Sequence, residues 1–484
     1  TRGSVSASGK KERTGRRRSL RTALRNRKAP AGPLDEQARK THLEKPEIKM
    51  SKIPSDPNPD STLALLSQGY TYISARCERY GSDLFKTRLM LSPAICMLGE
   101  EAARIFYEPG RFTRRRAMPP TALMLLQDKG SVQLLDGERH RARKRMFMSL
   151  MTPQSIQALV GRAADEWRSQ FRNWQRMDKV AMLPQAQEVF FRAVCQWAGI
   201  QLTDSDARRW TAPFAAMIDG SGSIGPRNWR ALVLRARAER WVRSIVQDVR
   251  DGKRDSPEGS ALHAVSFFRG PDNEPLDTKT AAVELINVLR PTVAVAWYVT
   301  FAALALHRYP DCKRTLENGD EGDLERFVQE VRRFYPMFPA VGGRVQKPFD
   351  WRGHHFAEGT WVILDIYGTN HDPRIWTDPG EFRPDRFRDW NGSPFNFIPQ
   401  GAGAFENGHR CPGEWITIEL LKSAVRLLAT EVHYDVPDQD LSIDLSRMPA
   451  RPKSGFVIRN ARPVPARLDP ELADRAGERR SLSG

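Results

Sequence analysis

The chain has few cysteines and no long apolar segment. Its 484 residues include five cysteines, an odd number without a close pair, at Cys77, Cys96, Cys195, Cys312 and Cys411. This pattern excludes a disulfide framework and favours a reducing compartment. The longest apolar run, 293–306, has fourteen residues and is too short to span a bilayer. With neither a signal-peptide segment nor an internal repeat, we expect a cytoplasmic protein without a membrane span.

Acidic residues are scarce near the N-terminus. Residues 1–49 contain fifteen Lys and Arg against five Asp and Glu, a net charge of about +10 out of the formal +18 of the chain. The segment has no apolar period, so we expect a disordered basic extension. A targeting peptide and a true start at Met50 are the alternatives. Because more than half of the excess charge lies here, it does not predict that the rest of the chain binds nucleic acid.

The remaining composition is that of one globular domain. Hydrophobic residues make up 40% and charged residues 28% of the chain, which is enough to bury a sizeable core. We assign the domain to 50–465 and a polar C-terminal tail to 466–484. Apolar periodicity predicts a mainly α protein with a minor β component. The predicted elements that matter below are the helices Gly137–Met151, Pro153–Phe171, Thr278–His307 and Pro412–Glu431, the strand Thr360–Ile366 and the loop Asp251–Pro275.

The most informative stretch surrounds Cys411. It reads Phe-Ile-Pro-Gln-Gly-Ala-Gly-Ala-Phe-Glu-Asn-Gly-His-Arg-Cys-Pro-Gly-Glu-Trp over 397–415. Pro412 is a good first-turn residue, so the sulfur of Cys411 should lie at a helix N-terminus, which favours thiolate over thiol. A thiolate held in this way can bind haem iron. A buried structural cysteine is the ordinary alternative, and a zinc site would need ligands beyond His409.

This loop resembles the cysteine loop of the cytochrome P-450 superfamily. Its longer form, ending in Gly-His-Arg-Cys-Pro-Gly-Glu-Trp, resembles that of the fatty-acid peroxygenase branch. Two further superfamily motifs follow the long helix in the expected order, Glu330-Val-Arg-Arg333 and Phe382-Arg-Pro-Asp-Arg-Phe387. The resemblance covers about 50–460. It implies a cytochrome P-450 fold with haem b between the helix Thr278–His307 and the cysteine loop, and Cys411 as the iron ligand.

A basic helix start provides candidates for the haem propionates. His140 and Lys144 lie one helical turn apart in the sequence Asp136-Gly-Glu-Arg-His-Arg-Ala-Arg-Lys. The resemblance implies that both residues hold propionates and that Arg114 reaches them from the preceding loop. The alternative is a solvated basic helix.

The long helix lacks the acid that oxygen-activating members of the superfamily carry before a threonine. Instead it reads Asn287-Val-Leu-Arg290-Pro291-Thr292. A permanent cation among apolar neighbours needs an anion, so we expect Arg290 to clamp a substrate carboxylate with two hydrogen bonds. An outward-pointing side chain or a pair with Glu284 is the alternative. The Arg290-Pro291 pair resembles that of the fatty-acid peroxygenases, in which the substrate carboxylate replaces the missing protein acid.

Gln133 bears on the product. In relatives of this branch the position faces the haem; His there is associated with decarboxylation and Gln with hydroxylation. The resemblance therefore implies hydroxylation of long-chain fatty acids at the alpha or beta carbon by hydrogen peroxide, without a redox partner. Met337 and Phe338 depart from the Phe-Gly of relatives, which bears on the preferred chain length. The alternatives are a decarboxylase that forms terminal alkenes, a reductase-dependent monooxygenase, and a non-catalytic haem sensor or DNA-binding protein with a basic arm.

Overall fold

Residues 52–464 are described by the computed structural model, and helices dominate them. The α-helices are α1 (Thr62–Gln68), α2 (Tyr72–Tyr80), α3 (Glu100–Phe106), α4 (Pro120–Leu126), α5 (Gly137–Ser149), α6 (Pro153–Trp174), α7 (Met182–Trp197), α8 (Asp204–Asp219), α9 (Pro226–Arg250), α10 (Ala261–Phe267), α11 (Thr278–Arg308), α12 (Pro310–Asn318), α13 (Glu321–Phe334), α14 (Ile366–Asn370) and α15 (Glu414–Thr430). Short 3₁₀ turns cover Gly69–Thr71, Val132–Leu134 and Pro384–Phe387.

The strands form three small sheets. They are β1 (Leu84–Leu89), β2 (Ser92–Met97), β3 (Phe112–Thr113), β4 (Val180–Ala181), β5 (Ala340–Val345), β6 (Phe349–Trp351), β7 (His354–Phe356), β8 (Trp361–Asp365), β9 (Val432–Asp435) and β10 (Val457–Pro463). The largest sheet has the order β1-β2-β8-β5-β3. Only β2 and β8 are parallel in it, with Cys96 opposite Ile363. The other two have the orders β4-β10-β9 and β6-β7.

Helix α11 lies at the centre of the helical core. It begins where Asp277 accepts a hydrogen bond from the backbone N–H of Thr280, a standard N-cap. Its residues are apolar on nearly every side, the pattern of a helix surrounded by others. It packs against α7, α9, α15 and α8. Among residues 52–464 it alone is long and apolar enough to cross a membrane, but it is mostly buried inside the fold and is a core helix here.

The mainly α prediction is confirmed, and the predicted elements differ from the observed ones in detail. The long helix ends at Arg308, one residue later than predicted, and the predicted strand shortens to β8. The prediction of a continuous loop over Asp251–Pro275 is wrong, because it contains α10. Ser260 caps this helix by accepting from the N–H of His263, and its buried side chains contact the core. Seven residues are too few for helical periodicity to be visible.

The cysteine-loop helix also begins later than predicted. Helix α15 starts at Glu414 rather than at Pro412, so Cys411 lies in the turn before its first residue. The predicted disorder of 1–49 and the predicted tail 466–484 lie outside the described residues, and both stay predictions.

Candidate active site

A cavity of about 550 Å³ lies between α11, α5 and the cysteine loop. Its walls are mainly apolar. The residues predicted for the site that line it are Gln133, His140, Lys144, Arg290, Pro291 and Cys411. Pro291 is exposed toward the cavity although its neighbours Arg290 and Thr292 are buried. Segments that are far apart in the chain therefore bring six of the seven predicted residues to one space.

The sulfur of Cys411 is held by the loop around it. The side-chain amide of Gln400 lies 3.7 Å from Sγ, and the backbone N–H of Cys411 donates to the Gln400 carbonyl. Burial raises the pKa of the Cys411 thiol, and the Glu414 carboxylate raises it further, against the lowering effect of the Gly413 N–H. The helix terminus therefore does not by itself produce the thiolate expected from the sequence. A bound metal ion supplies the charge that deprotonates a coordinating thiol.

A buried cluster of charges fixes the cysteine loop to α13. Glu414 accepts hydrogen bonds from Arg332 at 2.5 Å and from Arg410 at 2.8 Å, and Arg332 also donates to Gln400 at 3.0 Å. Arg332 and Glu414 are almost fully buried. Sequence reasoning missed this cluster; the signal was the second arginine of Arg332-Arg333 together with the acid in Cys-Pro-Gly-Glu.

The Glu330 and Arg333 pair is fully buried in α13. The two side chains form a two-point ion pair at 2.7 Å with 0% exposure of each. Glu330 also accepts from the backbone N–H of Arg383 and from Nε of Arg386. Arg333 donates to the carbonyls of Asn370, Pro379 and Glu381. The structure thus brings the two sequence motifs together, as the resemblance implies.

Four basic side chains meet on the cysteine-loop side of the cavity. Lys144 donates to the carbonyls of Gly408 (3.2 Å) and Arg410 (2.5 Å), and the rings of His140 and His409 are 4.3 Å apart. Burial lowers the pKa of Lys144 to about 8 and that of His140 to about 4. The fourth, Arg114, does not line the cavity: it is buried, and it donates to the carbonyl of a lining residue, Gly342.

This basic cluster fits an anionic group. Within residues 52–464, none of its four members forms an ion pair with an acid. Lys144 and Arg114 are buried cations without a carboxylate, which is costly unless a ligand supplies the negative charge. The imidazoles of His140 and His409 can donate hydrogen bonds to the same ligand. Haem propionates have that charge, and Cys411 on the same cavity is a soft ligand suited to iron. The donor set therefore fits haem, with Cys411 on the metal and the cluster toward the propionates.

Arg290 is buried on the α11 side without an acid. Its side chain is 4% exposed; Nη1 donates to the Leu125 carbonyl (3.1 Å) and Nη2 to Oδ1 of Asn287 (3.0 Å). Burial, with an additional contribution from the charge of Arg235, lowers the pKa of Arg290 to about 9. Both alternatives from the sequence are wrong, since the side chain neither points outward nor pairs with Glu284. Glu284 instead pairs with Arg143 at 2.5 Å.

Asn287 connects the two predicted cavity residues on this side. Its amide nitrogen lies 3.4 Å from Oε1 of Gln133 and 3.0 Å from Oε2 of Glu284, while its oxygen accepts from Arg290. The orientation of Arg290 is therefore coupled to that of Gln133. Sequence reasoning gave Asn287 no role. The signal was its position one helical turn before Arg290.

Comparison with known proteins gives one consistent result. A family model described as Cytochrome P-450 matches residues 324–428. A variant of cytochrome P-450SP alpha has 46% sequence identity, with 84% of this chain and 100% of that chain covered and a TM-score of 0.82. Cytochrome P-450EX alpha with myristic acid has 41% identity, 86% and 100% coverage and a TM-score of 0.82. A variant of cytochrome P-450 OleT in complex with arachidonic acid has 33% identity, 86% and 100% coverage and a TM-score of 0.83.

Proposed function

This chain belongs to the fatty-acid peroxygenase branch of the cytochrome P-450 superfamily, and on that premise we propose that it hydroxylates long-chain fatty acids at the alpha or beta carbon with hydrogen peroxide. It is an oxidoreductase whose cofactor is haem b. The observation that carries the proposal is Arg290, a buried cation in the cavity without an acidic partner in the described part of the chain.

The cofactor and the residues that would hold it have separate tasks. When bound, the haem supplies the iron that splits the peroxide O–O bond and oxidises a C–H bond. Cys411 would bind the iron, while Lys144 and Arg114 would neutralise the propionates and His140 would donate a hydrogen bond to them. The Arg332, Arg410 and Glu414 cluster holds the loop that carries the sulfur. These residues bind and orient the cofactor.

Arg290 binds the substrate carboxylate in this proposal. A guanidinium has five N–H donors, and the protein uses two of them at Leu125 and Asn287, so three stay available for an anion. A carboxylate accepts two parallel hydrogen bonds from such a group. The acid would also compensate the charge that burial disfavours at Arg290. Binding of an acid thus compensates the buried charge of Arg290, which has no acidic partner in the described part of the free protein.

Anchoring the acid end determines which carbons face the reaction centre. A carboxylate bound at Arg290 would hold the alpha and beta carbons close to the anchored end, in the cavity that Cys411 also lines. The hydrocarbon tail of the fatty acid would lie along apolar lining residues, among them Met337 and Phe338. These two residues contribute to the preference for chain length.

The substrate acid is also the group that can hold a proton beside Arg290. Gln133 and Asn287 do not titrate, and the Thr292 hydroxyl donates to the Val288 carbonyl within its own helix. Among the described lining residues, Asp365 is the one carboxyl group, and it lies at the end of β8, where it accepts from the N–H of Gly368. The substrate carboxylate therefore takes the role of general acid and base, and no redox partner is required.

The test compares a long-chain fatty acid with its methyl ester. The purified enzyme is given either compound with hydrogen peroxide, and the products are analysed. We expect alpha- or beta-hydroxy acid from the acid and little product from the ester, because the ester cannot accept two charge-assisted hydrogen bonds. Equal turnover of the two would contradict the carboxylate anchor. Terminal alkene as the main product would favour decarboxylation, and turnover only with a reductase would favour the monooxygenase alternative.

A further inference from the structure

The outer face of α9 combines positive charge with apolar side chains. We define this face as Trp229, Arg230, Val233, Arg237 and Arg240, which follow helical spacing and are all exposed. We propose that the outer face of α9 docks on the surface of an anionic lipid bilayer and brings the mouth of the cavity to it. The choice of substrate in this inference rests on the proposed function, whereas the docking itself does not.

The arginines of this face are free to contact an anionic partner. Arg230, Arg237 and Arg240 form no ion pair with any acid within residues 52–464. Two exposed arginines of α8, Arg208 and Arg209, enlarge the basic area and are also without an acid in that range. The inner side of α9 differs, because its Arg235 pairs with Asp128 and Glu239. Positive charge without compensation therefore accumulates on the outer side.

Large apolar side chains lie among these charges. Trp229 is 64% exposed and Val233 is 70% exposed, and they lie one helical turn apart. The stripe continues to Ile224, which precedes α9 and is 63% exposed. A face with a tryptophan and aliphatic residues among arginines has the composition of an element that lies in the bilayer interface.

The cavity reaches the surface at the end of this stripe. Ile224 lines the cavity and is exposed as well, and so is Met90 at the turn between β1 and β2. Leu91 beside it is 73% exposed. We take the exposed lining residue Ile224, at the end of this stripe, as marking the mouth of the cavity.

A bilayer accounts for both features, whereas a nucleic acid accounts for only one. Phosphates of a nucleic acid would pair with the arginines but leave Trp229, Val233 and Ile224 in water. Anionic lipid headgroups attract each arginine near the surface, and the interface takes up the apolar side chains. Long-chain fatty acids also partition into bilayers, so an opening that faces the bilayer meets its substrate there.

The experiment is flotation of the full-length enzyme with lipid vesicles. The vesicles consist of phosphatidylcholine alone or with a minority of phosphatidylglycerol. We expect the wild type to float with the anionic vesicles. The Arg230→Ser/Arg237→Ser variant should lose about twenty-five-fold in partition coefficient, since each arginine contributes about five-fold. Trp229→Ser/Val233→Ser should also lose roughly ten-fold or more.

The matched control, called the α6 control, replaces an exposed arginine of α6 and one in the turn that follows it, Arg172→Ser/Arg176→Ser. These residues are likewise without an acidic partner in the described range, and α6 packs mainly against α7, α15 and β10. All proteins keep residues 1–49, so binding by that basic segment is the same in each. Flotation of the α9 variants equal to wild type, or an equal loss in the α6 control, would overturn the proposal.

Two further readouts separate the possible outcomes. Loss of binding to a duplex oligonucleotide in the α9 arginine variant, with unchanged flotation, would assign the surface to nucleic acid and overturn the proposal. Peroxide-driven turnover of a water-soluble, shorter fatty acid should be equal in wild type and α9 variants, while turnover of vesicle-bound long-chain acid should fall several-fold. If no acid is turned over but flotation still depends on α9, the proposed function fails and the docking surface stands.

Discussion

Two sets of buried arginines near the cavity are compensated in opposite ways. On the α13 side, Arg332 and Arg333 are each paired with a carboxylate, Glu414 and Glu330 respectively. On the α11 side, Arg290 is equally buried, and its protein partners are a carbonyl and an amide oxygen. The first arrangement is complete without a ligand. The second is completed by an anion.

This difference separates structural charge from binding charge. Desolvation penalises every buried ion, so a stable protein normally supplies the opposite charge itself. Where the protein supplies no opposite charge, the site is suited to bind an anion from outside. The same distinction applies within α11. Glu284 is paired with Arg143 and accepts from the N–H of Val132, whereas Arg290, about 9 Å further along the helix, has no acidic partner. Three predictions test the distinction, beginning with the largest effect.

Removing a carboxylate from the paired arginines on the α13 side should destabilise the fold. Glu330→Gln removes the charge that faces Arg333 and also weakens the contact to Arg386. We expect a loss of about 3–5 kcal/mol in the free energy of unfolding, because a buried cation is left without its partner. Chemical denaturation measures this, and haem content should fall in parallel. Glu138→Gln is the control: its pair with Arg141 is exposed, so the change should stay below about 1 kcal/mol.

Removing the unpaired Arg290 on the α11 side should lower the activity rather than the stability. Arg290→Met should lose about 2–5 kcal/mol of transition-state stabilisation, which lowers peroxide-driven kcat/KM on fatty acids by roughly one and a half to three and a half orders of magnitude. Its unfolding free energy should stay within about 1 kcal/mol of wild type, since the loss of two hydrogen bonds is offset by removal of an unpaired buried charge. Arg290→Lys keeps the charge but loses the two-point geometry, so it should also be strongly impaired.

A decoy acid separates anchoring from folding in these variants. With a short carboxylic acid present, the wild type should oxidise a small non-acidic molecule with peroxide, because the decoy provides the carboxylate at Arg290. Arg290→Met should not respond to it. A stability loss in Arg290→Met as large as that of Glu330→Gln would contradict the contrast between the two sides.

The parts of this site that the sequence predicts are those with a local signal. Cys411 stands out by its glycine-rich loop and Pro412, and Arg290 by its apolar neighbours along a single helix. Helix α11 is recognised because its apolar pattern continues for about eight turns. These signals need no knowledge of what the helix packs against.

The other parts depend on contacts between distant segments. Arg332 and Glu414 are 82 residues apart, and nothing in either local sequence indicates their pairing. Asn287 is one more polar residue until the fold places Gln133 beside it. The surroundings of Cys411 are a further example: the helix terminus is visible in the sequence, whereas burial and the Glu414 carboxylate, which raise the pKa of its thiol, are not. Local sequence patterns thus do not show desolvation or the ion pairs that form between distant segments.

Asp365 provides the smallest and most specific test of incomplete compensation. One carboxylate oxygen accepts from the N–H of Gly368, and the other, Oδ2, is buried without a hydrogen-bond partner. Burial raises the pKa of Asp365 from 3.8 to about 7, while its neighbours Cys77, Cys96 and Tyr367 stay neutral in this range because burial raises their pKa values too. Between pH 3.8 and about 7 the folded protein keeps the proton of Asp365, whereas the unfolded chain has released it. The stability of the folded protein should therefore fall as the pH rises from about 4 to about 7.

Asp365→Asn keeps the acceptor for Gly368 and cannot ionise, so this pH-dependent contribution should vanish. We expect the stability advantage of the variant over wild type to be larger at pH 8 than at pH 5 by on the order of 1–3 kcal/mol, measured by denaturation at both values. Parallel stability curves for the two proteins would show that Asp365 is compensated after all.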